Sequence, residues 1–375
     1  MRVLVAGGGT GGHFYPACTI IEGIRGRYPD ASIGYVGTRS GIEARVLPET
    51  PWVRFFPIRV RGMHPRGGWR NGLVILQLLI AFVQTLAVFA RFRPDVVIGV
   101  GGHISFPPVL LAAILGKMLP IRTMIHEQNV IGGLANRWLS RFVDLVLISF
   151  EESKRSFPHA KRIVVSGNPI REEFLHVRRS DDLFDRFGLD PNRRTILIFG
   201  GSRGADEITE QILLGRGAIS RIDGLQILLA TGDRETADRI RREMRAAYVT
   251  NVVVTPYIDE MAEAFAIADL VVCRSGATSL AEITGCGKPS LLIPWRGAAD
   301  DHQWKNARLL EAENACAVAD EGVIVRHKLV DRILDLIHDE WTLTRLATNA
   351  ARLGNRKAGL RIQGEIKALM GEAGT

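Results

Sequence analysis

The sequence predicts an α/β protein of two Rossmann-like, doubly wound parallel-sheet domains facing one cleft. Short apolar runs recur along 375 residues at helix-length intervals, each bounded by glycine or proline. That is the rhythm of βα units around a parallel sheet. Two runs open onto glycine-rich turns: residues 3–6 into Gly7-Gly8-Gly9-Thr10-Gly11-Gly12-His13, and residues 195–199 into Gly200-Gly201-Ser202-Arg203-Gly204-Ala205. A buried strand ending in glycines and feeding a helix aims backbone N–H groups and a positive dipole end at an anion, so each half is built to meet phosphate.

In order, the first half reads as strands at 3–6, 33–36, 96–100, 123–125, 145–148 and 163–165. Their unbroken apolar character fits strands covered on both faces. Gly167-Asn168-Pro169 and the polar stretch Arg178, Arg179, Ser180, Asp181 and Asp182 mark a boundary, giving domains at 1–165 and 166–344. The second half continues with 195–199, 226–230, 252–254, 270–273 and 290–294. A C-terminal helical segment, about 345–375, is free to pack back on the first domain.

Composition bounds the partners. At 46% hydrophobic and 23% charged the chain is an ordinary globular one. Its four cysteines are scattered without a C-x-x-C pair, and no signal-peptide pattern opens it, so we expect a reducing cytoplasm and no structural zinc. A formal charge of +8 favours an anionic partner. The basic residues are spread along the chain with no RNA-binding or zinc-finger pattern, so nucleic acid is not expected. The oligomeric state is left open.

Residues 73–90 carry no charge and lie between Arg59, Arg61, Arg66 and Arg70 on one side and Arg91 and Arg93 on the other. A span needs about 20 mostly apolar residues, and Gln77, Gln84 and Thr85 weaken that reading. The alternatives are a buried domain helix and a surface helix that dips its apolar side into an anionic membrane, with Leu79 and Phe82 as docking side chains.

The chemistry-bearing residues sit where strands end. Gly7, Gly9 and Gly12 satisfy G-x-G-x-x-G, but a dinucleotide site wants an acid at the end of the second strand. That strand ends Val36-Gly37-Thr38-Arg39, with Glu43 well past it, which argues against an oxidoreductase. His13 follows the last glycine, either as a general base toward an attacking hydroxyl or as a capping or packing histidine. Gly101-Gly102-His103 and His126-Glu127-Gln128-Asn129 form two more polar turns. In the second half Ser279 and Glu282 have capping-box spacing, while Glu282 also suits the ribose hydroxyls of a nucleotide. At Asp300-Asp301-His302-Gln303 a sugar-reading cluster competes with plain helix capping. No D-x-D triplet is present, so no metal or other cofactor is expected at the diphosphate, and Arg171 is a candidate fixed cation.

These residues together resemble the MurG family, membrane-associated transferases that add N-acetylglucosamine to lipid I to make lipid II in bacterial cell-wall synthesis. The likeness runs from Gly7–His13 through Gly101-Gly102, His126 to Asn129, Gly167-Asn168-Pro169-Ile170-Arg171 and Gly200-Gly201-Ser202. It continues through Cys273 to Ala277 and Glu282 to His302, Gln303 and Asn306, covering nearly the whole chain.

The resemblance implies a GT-B architecture and an inverting transfer from UDP-N-acetylglucosamine to the 4-hydroxyl of a polyprenyl-diphosphate-linked muramyl peptide, on the cytoplasmic face of the plasma membrane. Carried over by position, Ile258 lies along the uracil, Glu282 holds the ribose, and Ser202, Arg171, Ala277, Thr278 and Ser279 surround the diphosphate. Asn129, His302 and Gln303 meet the sugar. Thr10, Gly11, Gly12 and His13 line the acceptor side, with His13 as base and Glu127 as its substitute. Departures stand at His103, at Phe106-Pro107-Pro108 and at Arg203. The rivals are a UDP-N-acetylglucosamine 2-epimerase, a glycolipid synthase and a noncatalytic nucleotide-sugar-binding protein.

Overall fold

The computed structural model describes residues 1–60, 70–201, 206–320, 324 and 328–371. The chain divides into two compact units, Met1–Ile170 with Lys357–Thr375, and Arg171–Arg356. In the first, seven parallel strands run β1 (Arg2–Ala6), β2 (Ser32–Gly37), β3 (Val53–Pro57), β4 (Val96–Gly99), β5 (Arg122–Glu127), β6 (Leu145–Ile148) and β7 (Ile163–Val165). Their order in the sheet is β3-β2-β1-β4-β5-β6-β7. In the second, β8 (Arg194–Phe199), β9 (Leu225–Ala230), β10 (Val252–Thr255), β11 (Leu270–Cys273), β12 (Ser290–Leu292) and β13 (Ala317–Val318) pair as β10-β9-β8-β11-β12-β13.

Each order reverses once, between β1 and β4 and between β8 and β11. At such a switch point the turns leaving the two strands diverge to opposite faces and open a crevice at the carboxyl edge. Both glycine-rich turns leave a switch-point strand. Alternate residues of each strand feed opposite cores: Val3 and Val5 pack on one face of the first sheet, Leu4 and Ala6 on the other. The Ala358–Leu369 helix belongs to the first unit, where Ile362 and Ile366 join Ile20, Ile21 and Ile24 of the Gly11–Arg27 helix. A Cβ on Gly23 would stand 2.2 Å from Gln363, so the absent side chain admits the second helix.

Two strands were not legible as apolar runs. β3 and β13 are edge strands; exposed Arg54 interrupts β3, which ends in proline, and β13 spans two residues. Edges need less apolar cover on either face and are kept short.

The uncharged stretch forms the Arg70–Phe92 helix. Ala81, Val88, Phe89 and Phe92 are buried on the sheet, while Leu76, Leu79, Ile80, Val83 and Leu86 are exposed, Leu79 at 59% and Val83 at 69%. Gln84 Oε1 accepts a bond from the Arg59 main chain at 2.7 Å and Thr85 donates back to Ala81 O. Phe82 corrects the docking assignment: it is half-buried with its ring edge-on to Phe106 at 6.5 Å, and therefore packs. No helix among the described residues is long and apolar enough to cross a membrane.

Candidate functional site

In the first unit the site grows from the turn after β1. Gly8 and Gly9 take φ of +124° and +79°, conformations open to glycine at no steric cost. Beneath them lies Glu43, fully buried, whose carboxylate accepts bonds from Gly9 N (3.0 Å), Thr38 N (2.8 Å) and Thr38 Oγ1 (3.0 Å). A Cβ on Gly8 would come 2.6 Å from that carboxylate. The acid that seemed too distant along the chain is thus an internal anion bracing the turn. Sequence reasoning missed it because the loop after β2 folds back over a distance that spacing does not reveal.

Thr10 takes the extended N-cap conformation, and Gly11, Gly12 and His13 form the first turn of the helix. Thr10 does not cap through its side chain; its carbonyl accepts from His13 N and Phe14 N. His13 is not a capping residue either: its Nδ1 lies 3.0 Å from Gln128 Oε1, in the turn after β5. Gly101, at φ +90°, lies against the ring, where a Cβ would stand 2.9 Å from Cε1 and Nδ1. Behind Gln128, its Nε2 reaches His126 Nδ1 at 2.9 Å, and His126 Nε2 reaches Gly167 O at 3.0 Å.

Glu127, the substitute base, is 2% exposed, and its oxygens are occupied by four donors. Oε1 accepts from Asn129 N and Nδ2 at 3.0 and 3.1 Å, and Oε2 from Gly133 N and Asn136 Nδ2, each at 2.9 Å. These bonds tie the 128–136 segment together. Asn129 is held in the first unit beside it.

Burial lowers the His126 pKa to about 4, against the pull of the Gly167 carbonyl and of Glu127. The unfolded chain therefore takes up this proton first as pH falls. Stability contributed by neutral His126 is present above about pH 6.5 and is lost as pH falls through 4, a loss of about 3 kcal/mol. Urea melts at pH 7, 5.5 and 4 are expected to show it, with His126→Gln losing correspondingly less. Equal losses in both proteins would refute it.

In the second unit the turn after β11 leads into the Ala277–Cys286 helix, with Gly276 at the N-cap and Ala277, Thr278 and Ser279 in the first turn. Ser279 therefore does not cap, and the capping-box reading falls. Glu282 is 5% exposed and pairs with Arg171 at 3.2 Å; Arg171 also meets Glu173 at 3.0 Å. Burial pushes the Glu282 pKa up, opposed by Arg171. Two residues expected around one nucleotide thus stand together. Ile258, expected along the uracil, is 3% exposed and lies in the interior of the second unit.

Ser275 Oγ donates to Gln303 O at 2.8 Å, Asn306 Nδ2 to Ser275 O at 3.2 Å, and Trp295 N to Gln303 Oε1 at 2.9 Å. The first two bonds join the β11 turn, and the third the segment after β12, to the His302–Ala312 helix. His302 Nδ1 donates to Ala299 O at 2.7 Å. Asp301 holds the N-cap with φ +52° and no side-chain cap bond, so it does not cap this helix through its carboxyl. Ser202 and Arg203 lie outside the described residues.

Two parallel-sheet units with glycine turns at their switch points define the GT-B class of glycosyltransferases. Residues 3–148 match the glycosyltransferase family 28 N-terminal domain and residues 195–361 its C-terminal domain. Enzymes named UDP-N-acetylglucosamine–N-acetylmuramyl-(pentapeptide) pyrophosphoryl-undecaprenol N-acetylglucosamine transferase are similar over nearly the full length. The Desulforamulus reducens protein is 37% identical, covering 96% of each chain. The Chlorobaculum tepidum protein is 39% identical, covering 98% of this chain and 99% of its own. Acinetobacter baumannii MurG superimposes with a TM-score of 0.72 at 25% identity, over 98% and 99% of the two chains. The chain belongs to the MurG family.

Proposed function

We propose that this chain transfers N-acetylglucosamine from UDP-N-acetylglucosamine to the muramyl 4-hydroxyl of a polyprenyl-diphosphate-linked peptide, with inversion, giving lipid II. The full-length kinship to transferases of that name carries the reading. The second unit takes the donor: Glu282 the ribose, Arg171, Ser202 and the Ala277-Thr278-Ser279 turn the diphosphate, and Ile258 the uracil. His302 and Gln303, with Asn129 of the first unit, read the sugar. Thr10, Gly11 and Gly12 receive the acceptor.

His13 acts as general base. Its ring takes the hydroxyl proton as the new oxygen–carbon bond forms, and the anomeric bond to phosphate breaks with its electrons leaving on UDP. The charge on UDP is met by Arg171 and by helix N-terminal N–H groups. Glu127 serves by holding Asn129 rather than by accepting protons.

The acceptor's lipid is anchored in the bilayer, since each buried methylene contributes about 0.8 kcal/mol. The enzyme therefore meets it at an anionic membrane surface, on the cytoplasmic side where nucleotide sugars are held, through the exposed face of the Arg70–Phe92 helix.

The test is transfer of radiolabel from UDP-N-acetylglucosamine to a short-chain lipid I analogue. Label in the lipid product, with UDP release dependent on added acceptor, is the expected result. UDP release without acceptor would point to the epimerase, and nucleotide binding with no turnover to a noncatalytic binder; either outcome refutes the transfer.

A further inference from the structure

We propose that Gln128 is the positioning residue that fixes the proton of neutral His13 on Nδ1, leaving Nε2 as the basic nitrogen, through a hydrogen-bonded line anchored at Gly167. The inference rests on the reading of His13 as base.

The argument is one of donors and acceptors. Gln128 Nε2 stands 3.2 Å from Val100 O and 3.1 Å from His126 O. Carbonyl oxygens only accept, so this end of the amide is the NH2 group and the other end is its oxygen. An amide oxygen also only accepts, so the His13 nitrogen 3.0 Å away carries a hydrogen. A neutral imidazole has one N–H, and its basic electron pair is then on Nε2.

The same logic runs backward along the line. His126 Nε2 lies 3.0 Å from Gly167 O, which only accepts, so that nitrogen carries the hydrogen; His126 Nδ1 is then the bare nitrogen, 2.9 Å from Gln128 Nε2, where it shares an amide hydrogen with the neighbouring carbonyl. His126 is therefore held neutral, in agreement with a pKa lowered to about 4 by burial. Protonating it would place an N–H against an NH2. Gln128 is fully buried, and the Gly101 main chain closes one side of the His13 ring.

The consequence falls on catalysis. When Nε2 takes the hydroxyl proton the ring becomes an imidazolium, and its Nδ1–H still donates to Gln128 Oε1, now as a stronger charge-assisted bond. A ring with the proton on Nε2 instead has no electron pair at that nitrogen to offer, and in catalytic triads a wrong tautomer removes most of the turnover. The other titratable groups around this pair are His103, His126, Glu127 and Glu43. His103 is held below its ordinary value by desolvation and by His13.

Three measurements test it. In protein labelled with ¹⁵N-histidine, long-range ¹H–¹⁵N spectra at neutral pH are expected to show His13 protonated on Nδ1 and His126 on Nε2; His13 protonated on Nε2 overturns the proposal without any variant. Gln128→Glu keeps the acceptor but makes it an anion, which favours the imidazolium. The acid limb of the kcat–pH profile is then expected to move up by about 1–2 units, and an unmoved limb counts against the proposal. Gln128→Leu is expected to lower kcat about 10- to 100-fold, the usual loss when a group orienting a reacting residue is removed, with the donor KM within about twofold. Unchanged kcat in the folded variant overturns it. Failure of the base reading is distinguishable: His13→Ala would then keep its turnover while the tautomer spectrum still reports Nδ1.

Discussion

Replacing His13 by alanine is expected to lower kcat by about 100-fold or more while leaving the donor KM nearly unchanged. A positioned base contributes about 10²- to 10⁴-fold, and loss of an interaction made only in the transition state lowers kcat and kcat/KM together. In the proposed reading the groups that hold the UDP portion of the donor lie in the second unit, where Arg171 and Glu282 pair at 3.2 Å, so nucleotide binding is not expected to depend on this ring. Turnover and UDP calorimetry on the same preparation check both halves of the expectation. A rate within about threefold of the parent would assign proton removal to water, because the oxygens of Glu127 are already occupied by four donors.

The second large effect is expected at the membrane. Leu79 and Val83 are exposed on one face of the Arg70–Phe92 helix, and withdrawing each from water into lipid contributes about 1.5–3 kcal/mol. Leu79→Glu with Val83→Glu is expected to weaken binding to anionic vesicles about 100-fold or more, by losing that transfer and adding repulsion. Thermal stability should hold, since neither side chain is in the core. Trp341→Glu, at a side chain 69% exposed in the second unit, is the control and should bind as the parent does. Vesicle cosedimentation that is unaffected by the double substitution would remove this helix from the docking surface.

Both predictions use residues whose types were legible in the chain, yet their neighbours were not. The apolar runs fixed eleven of the thirteen strands among the described residues because a buried parallel strand needs continuous apolar cover on both faces. β3 and β13 escaped because exposed Arg54 interrupts the first and the second spans two residues. The capping alternative failed for different reasons: the helix starts at Gly276, ahead of Ser279, and Asp301 stands at the N-cap without a side-chain bond. Phe82 looked like its exposed neighbours until the Phe106–Leu115 helix was laid beside it.

By itself the sequence determined the alternation of strands and helices, the two glycine turns, the family and the identities of the polar residues that end the strands. These are local properties, set by side-chain periodicity and by backbone freedom over a few residues. Only the tertiary structure decided that Glu43 braces the first glycine turn, that Glu127 ties a loop, and that Gln128 meets His13 across 115 positions of chain. The His13–Gln128 pairing follows from a strand order that sets β1, β4 and β5 side by side, and that of Glu43 from β2 lying beside β1. A hydrogen bond depends on where two elements come to rest, and no pattern within either element records that.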